Sequence, residues 1–442
     1  MTKDEVYSKI AESAHYGNLG LFVGSGFSKS VFENFYPVQP LSWIELLQKV
    51  CELNMLDWKD IDTSFKSCPE IASVIEKIIS TQKGEDITQV DKMVKEQVCR
   101  LTSWYPNVDQ RNNFTPLLSK LNPQWIITTN YDLILEGLLP ENSNSLGPNE
   151  SLVFSKHTIP IYHLHGIRTN PNTLILTNED YITLFRPNEY RLQKLSLTIN
   201  ESTTLIIGYS VGDPNVLTAL DWSKNVYQNN KSHYPNGVIQ LVYTETPNDN
   251  VIETNNGMIL LETNSIKDTL HYISHSIKKV ERSYKKYQKE ISFIKNQLID
   301  ADEESIDRFI TDQDHRREFL VRISNSHIYL TETFLSFLTK VFDECWERSR
   351  PNGAFHAYWE MTSILLDIII EITYDKMQPA LFETIASNLD KASPYIGNGY
   401  GEGHSAYRLW RDRKKEIPEI NKKELINYSE QYCCNKIARL LE

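Results

Sequence analysis

Four polar segments in the first half of the chain carry the side chains suited to chemistry. They are Gly24-Ser25-Gly26-Phe27-Ser28, Thr128-Thr129-Asn130-Tyr131-Asp132, His163-Leu164-His165-Gly166 and Gly208-Tyr209-Ser210-Val211-Gly212-Asp213-Pro214-Asn215. The first suits an anion: Gly24 and Gly26 lack a Cβ and can take positive φ, so backbone N–H groups can come close to a phosphate. Ser28 can bond the same anion or cap the following helix. Asn130 offers a donor and an acceptor, Asp132 a carboxylate, and His165 an imidazole that exchanges a proton near neutral pH. Each segment also has a plain structural reading. A Gly-x-Gly-x-Ser run is a strand-to-helix turn as readily as a phosphate cradle. Asn130 and Asp132 are ordinary caps for a helix over Leu133 to Leu139, a buried strand histidine is often a bonded core residue, and Gly208 to Asn215 is an Asx-rich turn.

Their positions favour a common site, because each follows an apolar run. The runs are Leu19-Gly20-Leu21-Phe22-Val23, Trp125-Ile126-Ile127-Thr128, Ile161-Tyr162-His163-Leu164 and Thr204-Leu205-Ile206-Ile207, with further strands at Val238–Tyr243 and Met258–Leu261. A small extra strand is expected over residues 173–177. Continuous apolar runs separated by helical stretches predict a parallel, doubly wound α/β sheet. Ligands of such sheets sit beyond the carboxyl ends of the strands, where all four polar segments fall. A short helix is expected at residues 4–16. Residues 44–120 contain no convincing strand, and apolar residues recur at helical spacing there, as in Ile71, Val74, Ile75 and Ile78. This stretch reads as a helical insertion between the first two strands.

From residue 265 the pattern changes. Ile266, Leu270, Ile273, Ile277, Val280, Tyr284, Tyr287, Ile291, Ile294 and Leu298 form a heptad seam, suited either to intramolecular packing or to assembly. Phe334, Leu335, Phe337, Leu338, Val341 and Phe342 share the face of a second long helix, and Ile364–Ile372 reads as a buried one. The glycine run from Gly397 to Gly403 follows no apolar strand and precedes no Lys-Ser/Thr pair, so it reads as a surface loop. Residues 1–265 are thus expected to form an α/β domain, and 266–442 an all-helical one.

The 442 residues carry a net charge of −12, which argues against broad nucleic-acid or anionic-membrane binding. No leader pattern or membrane-spanning run stands out. The six cysteines form no Cys-x-x-Cys pair, as expected of a reduced cytoplasmic protein without a zinc ribbon.

As a set, the four segments resemble the sirtuin family, and more closely its bacterial defence-associated branch. The resemblance covers about residues 15–265 and implies a Rossmann-like NAD+ site with nicotinamide release. By position it implies that Gly24, Ser25, Gly26 and Ser28 cradle the pyrophosphate and that Asn130 and Asp132 line the nicotinamide and its ribose. His165 becomes the catalytic histidine, while Gly208, Tyr209, Ser210 and Asp213 lie toward the adenosine ribose. His163, deeper on the same strand face, reads as a core or supporting residue, and Asp132 is the alternative base. Deacylase sirtuins carry four zinc cysteines after the histidine motif, whereas residues 167–203 here contain no cysteine. The resemblance therefore implies hydrolysis of NAD+ as a substrate, with no zinc.

Cleaving the nicotinamide–ribose bond builds oxocarbenium character, so the site must position the substrate, stabilise partial charge and supply a base. Asn130 and His165 suit those tasks. The expected protein is a cytoplasmic NAD+ glycohydrolase yielding nicotinamide and ADP-ribose, an anti-phage effector acting by NAD+ depletion. The alternatives are an NAD-dependent protein deacylase and a non-catalytic NAD- or ADP-ribose-binding subunit. Expected partners are further copies of the chain and, as triggers, a HerA-type ATPase, a phage protein or a nucleotide signal.

Overall fold

The apolar runs become strands, and the chain places the first of them centrally. β1 (Leu19–Val23), β2 (Trp125–Thr128), β3 (Ser143–Leu146), β4 (Ile159–His163), β5 (Thr203–Ile207), β6 (Val238–Tyr243), β7 (Ile252–Glu253) and β8 (Met258–Thr263) form one sheet in the order β3-β4-β2-β1-β5-β6-β8-β7. Every pairing is parallel except that of β7 with β8. The chain builds outward from β1 to β2, then returns to add β5 on the other side. The crevice between β1 and β5 is therefore the point where strand order reverses, the usual ligand position in such sheets. The computed structural model describes residues 1–33, 39–151, 158–184, 190–209, 237–254, 257–350, 355–396, 404–432 and 435–441.

The strands at residues 143–146 and 252–253 were not expected from the sequence, because one is polar and the other only two residues long. The small strand expected over 173–177 does not form. A 3-10 turn at Pro171–Thr173 is followed by irregular backbone whose Leu174, Ile175 and Leu176 are buried. That apolar run fills the space beneath the site instead of pairing in the sheet.

Helices α1 (Lys3–His15) and α2 (Ser25–Val31) flank β1, and the insertion supplies α3 (Trp43–Leu53), α4 (Cys68–Lys83), α5 (Ile87–Leu101) and α6 (Val108–Leu121). α3 starts at a capping box in which Ser42 and Glu45 satisfy each other's backbone N–H groups. α3, α4 and α5 bury Leu47, Val50, Ile71, Ile75, Val94 and Val98 in a core of their own. Three further helices follow: α7 (Ile134–Leu138), α8 (Asn178–Leu184) and α9 (Tyr190–Glu201).

Two compact units result, Met1–Arg282 and Ser283–Glu442. They part within the helix Ile266–Ile299, whose seam is buried at both ends and not in the middle. Ile266, Leu270, Ile273 and Ile277 join the core beside the sheet, and Ile294 and Leu298 that of the second unit, while Tyr284 and Tyr287 are exposed. The described part of the second unit contains helices and no strand. Its core includes Phe334, Phe337, Leu338, Val341 and Phe342, together with the apolar helix Phe355–Glu371. The Gly397–Gly403 run lies outside the described residues. No helix among the described residues is long and apolar enough to cross a membrane.

Candidate active site

The crevice between β1 and β5 is closed by glycine backbone. Gly24 N–H donates to Ile207 O at 3.0 Å, and Gly26 N–H to Gly208 O at 2.7 Å. A Cβ on Gly24 or Gly26 would fall 2.7 or 2.8 Å from the Gly208 oxygen, and one on Gly208 would fall 2.0 Å from Phe27 N. Gly208 also sits at φ 63°, in the left-handed region. Gly24, by contrast, has an extended φ of −114°. Two strand-end loops touch here, and that contact is what excludes side chains at Gly24 and Gly26. Positive φ, the property anticipated from the sequence, plays no part at either.

Beside this contact, β2 ends in a buried network. Thr128 Oγ1 donates to Val23 O at 2.9 Å and accepts from Asn130 N–H at 3.1 Å, tying the Asn130 loop to the end of β1. Asn130 Nδ2 donates to Ser28 Oγ, and Ser28 Oγ donates to Asp132 Oδ2, each at 3.0 Å. Asp132 Oδ1 accepts the Ile134 N–H at 3.1 Å, so the carboxylate also caps α7. Asp132 thus serves the helix start and the buried network at once. Burial pushes its carboxyl up to about 6, against the pull of those hydrogen bonds.

His163 supports this network from below. Its Nδ1 lies 2.9 Å from the Asn130 carbonyl oxygen and its Nε2 2.8 Å from Glu136 Oε1. Both neighbours offer acceptor oxygens, a setting that favours an imidazole with both ring nitrogens protonated and a positive charge. Burial pulls its pKa down, but the Glu136 carboxylate and the Asn130 carbonyl outweigh that and raise it above its ordinary value. The fully buried His163 is the supporting residue that its place in the strand suggested.

Seven of the expected site residues line one pocket of about 500 Å3: Ser25, Ser28, Asn130, Asp132, His165, Gly208 and Tyr209. That size lies within the range of small-molecule sites, roughly 300–1,000 Å3. Gly24 and Gly26 lie at the loop contact just described and not on the pocket wall. Ser210 and Asp213 lie outside the described residues. Among the described residues, no group of three or more His, Cys, Asp and Glu side chains is placed to hold a metal ion.

The sequence reading missed the opposite wall, which the helical insertion supplies. Ser42, Trp43, Lys66 and Ser67 line the pocket, as does Tyr181 of α8. Tyr181 meets the His165 ring edge-on with centroids 5.4 Å apart and stacks with Trp43 at 6.1 Å. Trp43 Nε1 is a buried donor with no protein acceptor in the structure. The insertion also braces the Asn130 loop: Tyr131 packs into its core and donates its hydroxyl to Ile175 O at 2.7 Å. The one sequence signal for the wall was the pair of capping patterns, Ser42-x-x-Glu45 and Ser67-x-x-Glu70, which bring two helix starts to the pocket.

Residues 124–267 match the family described as the SIR2-like domain. The match starts at the edge of β2, so the glycine turn after β1 lies outside it and reaches the site through the fold. Two curated proteins named NAD(+) hydrolase ThsA are similar to the chain. That of Bacillus cereus (strain MSX-D12) is 23% identical over 224 residues, covering 49% of this chain and 42% of that protein. That of Acinetobacter baumannii (strain 532279) is 24% identical over 237 residues, covering 51% of this chain and 43% of that protein. The matched region spans under half the length of either relative.

Proposed function

We propose, from the match of residues 124–267 to the SIR2-like domain, that the chain is an NAD+ glycohydrolase releasing nicotinamide and ADP-ribose. The observation that carries the reading is the hydrogen-bonded series Asn130–Ser28–Asp132, buried beside His165 in one pocket at the strand-order reversal. The relatives named as NAD(+) hydrolases point the same way.

In this reading the nicotinamide end of the substrate lies against Asn130 and Asp132. One N–H of the Asn130 amide is donated to Ser28, which leaves its second N–H and its carbonyl oxygen for a ribose hydroxyl or the attacking water. The Asp132 carboxylate stabilises the positive charge that develops at the ribose as nicotinamide leaves. His165, flanked by Trp43 and Tyr181, takes the proton from water. Ser25, Gly208 and Tyr209 face the rest of the dinucleotide. Residues 167–203 hold no cysteine, so nothing favours a zinc-supported acyl-lysine groove. The resemblance to defence-associated sirtuins supports a role in anti-phage NAD+ depletion, with the helical unit as the sensing or assembly part.

The test is cleavage of NAD+ by the full chain, with nicotinamide measured in the presence and absence of candidate triggers. Asn130→Ala and His165→Ala are each expected to lower turnover by about 100-fold or more, with the circular dichroism spectrum unchanged. Variants that both consume NAD+ like the parent would show that the chemistry lies elsewhere.

A further inference from the structure

The glycine turn has little left to offer a phosphate. Gly24 N–H is donated to Ile207 O, Gly26 N–H to Gly208 O and Phe27 N–H to Gly24 O. A dinucleotide diphosphate is a dianion, and holding it calls for a cation or for uncommitted donors. Among the described residues that line the pocket, Lys66 is the single lysine or arginine. It belongs to the helical insertion, in the loop that leads into α4, and lies outside the segment matched by the family.

The loop is built to hold that side chain in reserve. Lys66 Nζ pairs with the Asp62 carboxylate, and Lys66 is the more enclosed partner, 27% exposed against 66% for Asp62. The bond to Lys66 holds the Asp62 carboxyl below its ordinary value. The preceding residue, Phe65, takes φ 57° with its ring fully exposed. A bulky residue seldom adopts that conformation, and strained residues of this kind gather at ligand clamps.

We propose that Lys66 binds the diphosphate of the substrate, with Asp62 holding the ammonium group until the phosphates displace it. The inference rests on the NAD+ reading and adds to it the group that recognises the phosphates. An exposed carboxylate is a weak competitor, so the exchange costs little. The diphosphate offers more acceptor oxygens and twice the charge. Charge recognition thus falls to the insertion, and the sheet supplies shape through its glycine contact.

Binding of ADP-ribose and of adenosine, which lacks the phosphates, to the full chain separates the possibilities. Lys66→Gln is expected to weaken ADP-ribose about tenfold and leave adenosine unchanged, while Lys66→Arg retains most of the affinity. Asp62→Asn frees the ammonium and is expected to tighten ADP-ribose by up to about fivefold. In cleavage, Lys66→Gln raises KM and preserves kcat. The inference is overturned if Lys66→Gln binds ADP-ribose like the parent, or loses adenosine to the same degree. A parent protein that neither binds ADP-ribose nor cleaves NAD+ overturns the dinucleotide reading, and this inference with it.

Discussion

Among the described residues two aspartates are buried, one in each compact unit, and their surroundings are opposite. Asp367, in the helical unit, is met by three arginines: Arg316 at 2.9 Å, Arg317 at 3.1 Å and Arg413 at 2.6 Å. Arg316 is itself buried, and its remaining N–H groups reach Phe309 O, Ile310 O and Ser363 Oγ. Asp132, beyond the carboxyl end of the interior strand β2, has a hydroxyl and one backbone N–H as hydrogen-bond partners. The nearby positive charge of His163 is directed at Asn130 and Glu136. A charge that only holds a fold together is paired until its desolvation is offset. A charge meant to meet a substrate is kept short of partners, and the fold bears the cost.

The comparison breaks most visibly at Asp367. Asp367→Ala leaves Arg316, only 1% exposed, without its carboxylate in the interior. Removing one member of a buried pair costs about 3–5 kcal/mol, because the other charge stays buried and unpaired. The expected outcome is a lower unfolding midpoint for the helical unit in a denaturant titration. Wild-type stability in that variant would mean that water or neighbouring carbonyls satisfy the arginine, and the contrast with Asp132 would collapse.

Asp132 predicts a change of opposite sign. Its carboxyl ionises at about 6 in the folded chain, against an ordinary value of 3.8. Between those values the folded state holds a proton that the unfolded state has released, so stability falls as pH rises through the window. At pH 7 the ionised carboxylate costs about 3 kcal/mol. Asp132→Asn removes that cost and keeps a carbonyl oxygen for the Ile134 N–H. The variant is expected to melt above the parent at pH 7, with the gap closing toward pH 4, and to lose NAD+ cleavage. A lower melting temperature at pH 7 would show that the carboxylate is better stabilised than its partners suggest.

This division also explains what could be read from the sequence. Five-residue apolar runs such as Leu19–Val23 can be buried on both faces only in a central parallel strand, so the sheet was legible. So were the four polar strand ends, because strand direction alone sends them to one edge. The reason for the glycines was not legible: Gly208 is far from Gly24 and Gly26 in sequence, and the three matter through a contact that only the fold creates. The same holds for Trp43, Lys66 and Tyr181, whose part in the pocket depends on how α3, α4 and α8 pack. His163 was legible as buried, but its charge was not. Asp132 and Glu136 stand four residues apart, the spacing that brings side chains to one helical face, and this was the available clue to its carboxylate partner.

Glu136 gives the smallest and most selective test of the contrast. Its carboxylate is the main reason that His163 keeps a proton despite complete burial. A histidine whose folded pKa is raised adds stability that is fully present below its unfolded value, near 6.5, and is lost as pH rises through the folded value. Glu136→Gln replaces the carboxylate with a group whose amide can donate to a neutral ring nitrogen. The substitution should therefore cost about 1 kcal/mol on the acid side and little on the alkaline side. Melting temperatures of parent and variant are expected to differ at pH 5 and to converge as pH rises through the raised folded value of His163. The positive charge of His163 also helps to keep Asp132 ionised, so losing it should move the acid limb of NAD+ cleavage to higher pH. A uniform loss of stability at every pH would make Glu136 an ordinary hydrogen-bond partner, and Asp132 would then stand without help from His163.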